Sequence, residues 1–197
     1  DVHGSRGLGD VYKRQKVRNA MRDEAISARF YAPEKSTFMD EAADLAEMLC
    51  SMIGYSFVRR QITWPARMQY IPGQQNYLIE AAHNPSGMRR AAPEIASILP
   101  KKWSLLFGTS PQQDMNEFLQ PLFDLILSNP PVEIITTEPQ NGRYPGVKAP
   151  IEGLEHIPDP VEALQSFSED VDLILVTGSL YLCGNILEYL GENVDIL

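Results

Sequence analysis

The chain has 197 residues, 44% of them hydrophobic, and a formal net charge of −9, which suits one packed domain with an appendage. That acidic balance argues against a general binder of nucleic acid or of anionic membranes, although one local basic pocket can still hold a phosphate. Cys50 and Cys183 are far apart and match no paired metal-ligand spacing, no apolar run approaches the roughly 20 residues that span a bilayer, and no apolar secretion segment opens the chain, so free thiols in the cytoplasm and no membrane association are expected.

Residues 1–15 carry Gly4, Gly7 and Gly9, then Tyr12-Lys13-Arg14-Gln15, with no periodic apolar face. They read as a non-native or disordered segment outside the fold. Their glycines make no phosphate loop, because no strand precedes them and no Gly-Lys-Ser/Thr follows. Residues 16–62 read as the remnant of a preceding region with a linker helix. Within them, Ala42, Leu45, Ala46, Leu49 and Ile53 recur at steps of three and four, predicting an amphipathic helix from Asp40 to a glycine stop at Gly54. Val58 to Ile62 is a short strand candidate. Trp64-Pro65-Ala66-Arg67 interrupts the pattern before Met68-Gln69-Tyr70-Ile71, and Pro72-Gly73 marks a turn, so a two-stranded lead-in to Tyr77–Glu80 is predicted.

The stretch Ala82-His83-Asn84-Pro85-Ser86-Gly87 follows that apolar strand. Pro85 suits the first turn of a helix, where a missing N–H costs nothing, and helical spacing then runs through Leu99. Strands and helices alternate from there. Trp103 to Phe107 reads as a buried strand ended by Gly108-Thr109-Ser110, and Asp114 caps a helix with Met115, Phe118, Leu119, Leu122, Leu125 and Ile126 on its inner face. Val132 to Thr136 is the next strand. Residues 138–150, dense in Pro and Gly, form a loop, and Leu154 to Ile157 a short edge strand. Asp159-Pro160 opens a helix through Phe167. Asp172 to Thr177 is the clearest strand, stopping at Gly178-Ser179 before a helix from Leu180 to Leu190. Such alternation specifies an α/β domain with a mostly parallel, Rossmann-like sheet and helices on both faces.

In an open sheet of this kind, ligands bind at the carboxyl ends of the strands. His83 and Asn84 stand at such an end, where an imidazole and an amide beside a helix N-terminus can orient a carboxylate or phosphate. Ser179 holds the equivalent position after the last strand. Its hydroxyl can donate to a ligand, and glycine-serine there is equally an ordinary helix start. Arg67, after a stiff aromatic turn, suits bidentate contact with phosphate, although a surface arginine is the commoner meaning. Glu80, last in its strand, can accept from a ribose or simply face solvent. Asp159, Glu162, Glu169, Asp170 and Asp172 fit capping and a solvated helix face better than a metal site. No metal ligands are assigned.

Taken together, Trp64-Pro65-Ala66-Arg67, Leu78-Ile79-Glu80-Ala81-Ala82-His83-Asn84-Pro85 and Val176-Thr177-Gly178-Ser179-Leu180-Tyr181 resemble the C-terminal domain of the folylpolyglutamate synthase/dihydrofolate synthase family, within the Mur ligase superfamily. The resemblance runs from about Thr63 to Leu190 and implies a Mur ligase C-terminal-like, glutamate-binding domain over residues 63–197. Such enzymes join glutamate to a folate or dihydropteroate, using ATP and Mg²⁺ through an acyl phosphate, in chemistry dominated by positioning and charge neutralisation. By resemblance, Arg67 contacts ATP phosphate and Glu80 stands where an aspartate contacts the nucleotide. His83 and Ser179 take catalytic places near glutamate and the acyl phosphate, and Asn84 and Tyr181 line the substrate pocket.

The family pattern has Trp-Pro-Gly-Arg and Asp-Gly-Ala-His-Asn-Pro where this chain has Ala66, Glu80 and Ala81, and Glu41 or a neighbour replaces an asparagine typical of the preceding helix. The longer glutamate displaces its carboxylate by ~1.5 Å, one covalent step. The resemblance also implies an N-terminal ATPase domain carrying the phosphate loop and the Mg²⁺ ligands, whose signature these residues lack. The expectation is therefore a monomeric C-terminal portion, cut before about Lys16, that is inactive alone. A degenerate binding or regulatory module of the same fold and a Mur-type peptidoglycan ligase domain are the alternatives.

Overall fold

The computed structural model describes residues 19, 37–60, 63–143, 146–147, 153–168 and 170–192. The first element described, α1 (Phe38–Met52), starts where Thr37 accepts the Asp40 N–H on its hydroxyl, two residues ahead of the expected start. It buries none of its side chains. Its link to the rest is polar: Arg90 donates to Glu41 at 2.9 Å, and the Phe38 amide donates to Glu94 at 3.2 Å.

The expected strand at Val58 does not form over residues 58–60, and residues 61–62 lie outside the described set, as do residues 1–15. Arg59 is drawn instead to the acidic face of α1, pairing with Asp44 and lying 3.6 Å from Asp40 and 3.8 Å from Glu47.

The sheet is built from β1 (Gln69–Ile71), β2 (Tyr77–Glu80), β3 (Trp103–Gly108), β4 (Ile134–Thr137), β5 (Glu155–His156) and β6 (Leu173–Thr177), in the spatial order β1-β2-β6-β3-β4-β5. β1 pairs antiparallel with β2 as the expected lead-in, and every other pairing is parallel. The last strand in sequence thus inserts between β2 and β3, with Ile79 beside Val176 and Leu106 also beside Val176.

Strand alternation divides the core into two layers. Leu78, Trp103, Leu105, Phe107, Leu173 and Leu175 face α2 (Pro85–Ile98) and α3 (Met115–Ser128). Ile79, Leu106, Ile135, Ile174 and Val176 face α4 (Pro160–Gln165) and α5 (Leu180–Tyr189). Phe107 and Phe118 are both fully buried with centroids 6.1 Å apart, an aromatic pair that adds about 0.5–1.5 kcal/mol beyond its area. The mostly parallel α/β sheet with helices on both faces is the expected fold class. No helix among the described residues is long and apolar enough to cross a membrane.

Candidate functional site

The strand order creates a crevice. β2 and β3 leave their carboxyl ends toward α2 and α3 on one face, whereas β6, lying between them, leaves toward α5 on the other. Neighbouring parallel strands whose exits part in this way open a ligand-sized gap at their carboxyl ends. Glu80, His83, Gly108, Gly178 and Ser179 all stand at that edge.

At its β2 side, Glu80 is 4% exposed and both carboxylate oxygens are engaged. One lies 3.1 Å from Arg67 Nη1, and the other accepts the Met68 N–H at 2.8 Å. Burial pushes the Glu80 carboxyl above its ordinary range, while the Met68 N–H and the Arg67 charge oppose that rise without cancelling it. The segment that Glu80 holds is strained. Ala66 and Met68 both occupy the left-handed region, with φ of 54° and 47°, where a side chain is disfavoured. Two further bonds fix the turn: the Ala66 N–H donates to Gln69 Oε1 at 2.9 Å, and the Ala81 N–H donates to the Ala66 carbonyl at 2.8 Å. Beyond Nη1, the guanidinium lies 5.9 Å from the centroid of the Phe38 ring, within cation–π range. Nε and Nη2 have no partner among the described residues, which leaves Arg67 with donors to spare.

His83 joins this node through one carbonyl. The Ala81 oxygen is 2.9 Å from His83 Nδ1 and 3.4 Å from Arg67 Nη1. A carbonyl only accepts, so Nδ1 carries a proton and Nε2 is the ring nitrogen left to meet a ligand. Asn84 caps α2, its Oδ1 accepting the Gly87 N–H at 2.8 Å, and so shapes the turn. Gln112 ties the β3 loop to the same turn by donating to the His83 carbonyl at 3.0 Å.

At the centre the backbones of β3 and β6 meet. A Cβ on Gly178 would lie 2.5 Å from the Gly108 carbonyl oxygen, and its φ is 108°. Only glycine fits there, for space and for conformation. Thr177 links β6 to β2 by donating from its hydroxyl to the Glu80 carbonyl at 2.7 Å. Ser179, 3% exposed, caps α5 and accepts the Tyr181 N–H at 3.1 Å. Its hydroxyl proton remains to be donated. Tyr181 lies under the loop after β4. A Cβ on Gly142 would come within 2.7 Å of that ring, and Gln140 exchanges backbone bonds with the Asn185 amide at 2.9 and 3.3 Å.

The acidic residues near α4 behave as caps and surface pairs. Asp159 accepts the Val161 and Glu162 N–H groups, which hold its carboxyl below the usual range, and Asp170 pairs with Lys102. Glu169 lies outside the described residues. No group of three His, Cys, Asp or Glu residues that could hold a metal occurs among the described residues.

The sequence matches no protein-family model and no curated protein. Solved structures do match the fold. Escherichia coli FolC in complex with ADP aligns with a TM-score of 0.63 at 16% identity, covering 77% of this chain and 39% of that one. Mycobacterium tuberculosis folylpolyglutamate synthase, complexed with ADP and AMPPCP, aligns at 0.60 and 15% identity over 78% and 40% of the two chains. A bifunctional folylpolyglutamate synthase/dihydrofolate synthase with Mn, AMPPNP and L-glutamate bound aligns at 0.58 and 18% identity over 83% and 42%. The fold is that of folylpolyglutamate synthase structures. The chain spans about 40% of the length of these three proteins.

Within this folylpolyglutamate synthase-like sheet, Arg67, Glu80 and His83 form one bonded node around the Ala81 carbonyl. Among the described residues, Ser179 and Tyr181 join it through the backbone that runs from Thr177. Phe38, Gln69 and Gln112 belong to the same edge and were not singled out from sequence. Gln112 follows the Gly108-Thr109-Ser110 strand stop, a signal that marks a ligand-edge loop, whereas Phe38 and Gln69 are joined to the node by folding alone.

Proposed function

We propose that this chain forms the glutamate- and nucleotide-facing wall of an ATP-dependent ligase that adds glutamate to a folate or dihydropteroate. The observation that carries it is the Arg67–Glu80–Ala81–His83 node at a crevice where β2 and β6 part. ATP supplies a phosphoryl group that makes the acceptor carboxylate a good electrophile. Arg67 fits that role, since a guanidinium with Nε and Nη2 uncommitted offers a fork matched to phosphate oxygens. His83, protonated on Nδ1, offers Nε2 to the incoming amine or, when charged, to an anionic group. Ser179 donates its hydroxyl from the α5 N-terminus, where the helix dipole favours anions, and Asn84 and Tyr181 shape the substrate side of the crevice. The ADP, AMPPNP and L-glutamate in the similar structures support this choice of ligands.

The phosphate loop and the Mg²⁺ ligands are proposed to come from a partner ATPase domain, which makes residues 63–197 one wall of a two-walled site and the chain by itself inactive. A titration of ADP against this chain, followed through Trp64 fluorescence, tests the nucleotide side. Trp64 is 60% exposed and three residues from Arg67. Saturable quenching that Arg67→Ala weakens by about tenfold, the loss of one charge-assisted hydrogen bond, is expected. No saturable response contradicts the proposal.

A non-catalytic binding module of the same fold is the second reading, favoured by Glu80, whose two carboxylate oxygens are both engaged within the chain. It predicts ligand binding without glutamate-dependent ADP release when an ATPase domain is supplied.

A further inference from the structure

We infer that Glu80 is a positioning residue, one that acts on nucleotide through Arg67 and makes no contact with it. The inference rests on the nucleotide-facing reading of Arg67. Three observations carry it. The Glu80 carboxylate is almost fully buried, and each oxygen already has a partner from the turn, Arg67 Nη1 at 3.1 Å and the Met68 N–H at 2.8 Å. The turn it grips is strained on both sides of Arg67, at Ala66 and Met68, and strained backbone persists only when its surroundings over-determine it. The surroundings do so here from four directions: Glu80 below, Gln69 on the Ala66 N–H, the Ala81 N–H on the Ala66 carbonyl, and Phe38 against the guanidinium.

The clamp has a functional consequence. A carboxylate that binds Nη1 and the neighbouring backbone amide fixes the guanidinium plane and leaves Nε and Nη2 as the edge offered to an oxyanion. Presenting a pre-aimed fork lowers the ordering cost of binding. Glu80 neutralises part of the arginine charge while doing so, which favours recognition by hydrogen-bond geometry over bare charge. Gln69, buried and bonded to the Ala66 N–H, supports the same turn from β1.

Glu80→Asp separates this role from direct contact. Aspartate is shorter by ~1.5 Å, which breaks at least one of the two bonds because neither tolerates such a stretch. The test combines ADP titration of the wild type, Glu80→Asp, Glu80→Gln and Arg67→Lys with ¹⁵N NMR of the Arg67 guanidinium in the three forms that retain it. The wild type is expected to show resolved, slowly exchanging Nη resonances, which Glu80→Asp and Glu80→Gln collapse to a freely rotating signal. Both variants are expected to weaken ADP by about tenfold, as a lost charge-assisted bond does. Tighter or unchanged ADP binding by Glu80→Asp, or a freely rotating wild-type guanidinium, overturns the inference. Restricted wild-type rotation with no ADP binding by any form overturns the nucleotide reading and leaves the clamp standing, so the two failures are distinguishable. Circular dichroism of each variant checks that the loss is local.

Discussion

Ala66 holds φ at 54° in a buried turn, a conformation that costs an L-residue roughly 1–2 kcal/mol and glycine very little. Ala66→Gly is therefore expected to stabilise the chain by about 0.5–1 kcal/mol after the greater entropy of an unfolded glycine is counted. Urea denaturation measures this, and a lower midpoint contradicts it. Whereas Glu41 pairs with Arg90, three other places where this chain departs from the resembled pattern, Ala66, Glu80 and Ala81, meet in one set of contacts: Ala66 bonds to Ala81, and Glu80 holds the two residues after Ala66. They are a single local solution, invisible to inspection one position at a time. Glu80 also sets a pH signature. Because burial raises its carboxyl in the fold above the ordinary value of 4.5, the folded chain holds that proton more tightly than the unfolded one. Its contribution to stability is complete below about pH 4.5 and is lost as pH rises through the raised value. Relative to Glu80→Gln, wild-type stability is expected to decline across that window. A difference that stays flat with pH contradicts the assignment.

Helix α5 gives a paired test at the scale of elements. Gly178, just before it, has a left-handed φ and no room for a Cβ beside Gly108, whereas Gly184 within it has nothing within 4 Å. Gly178→Ala is expected to cost about 3 kcal/mol through overpacking and strain, and Gly184→Ala to gain about 0.5–1 kcal/mol from helix propensity. Thermal melts of both variants check the contrast, and equal effects contradict it. The same elements explain what was readable in advance. Asp114, Asp159-Pro160 and Pro85 announce helix starts through local chemistry, and the apolar runs at Tyr77–Glu80, Trp103–Gly108 and Leu173–Thr177 announce strands, so these were legible to within a residue or two. Val58 was not, because strand propensity says nothing about whether a partner edge exists, and Arg59 found the acidic face of α1 instead. The insertion of β6 between β2 and β3 was illegible for a related reason, since it depends on pairing between residues 97 positions apart on one side and 70 on the other. The gathering of Arg67, Glu80 and His83 at one sheet edge was legible because each lies next to a strand end or turn. Their bonding through Ala81, and the parts of Phe38, Gln69 and Gln112, emerge only when distant segments meet.

The whole molecule joins a two-layered α/β core to a helix held by the Glu41–Arg90 pair, the Phe38 N–H on Glu94 and the Phe38 ring against Arg67. Its crevice sits at the carboxyl ends of the strands and carries a clamped arginine, a histidine anchored through Nδ1 and a capping serine. In the proposed ligase this is one wall, facing an ATPase domain that brings the phosphate loop and the metal. The chain alone is then expected to release no ADP from ATP in the presence of glutamate and tetrahydrofolate or dihydropteroate. The most direct measurement is made on a chimaera in which this chain replaces the corresponding segment of E. coli FolC, assayed for glutamate-dependent ADP release. Release that requires glutamate and falls by at least about tenfold in both Arg67→Ala and His83→Ala, the loss of one transition-state hydrogen bond to a charged group, is the predicted result. A folded chimaera that binds ADP and shows no glutamate-dependent release would contradict the ligase assignment and favour the binding module.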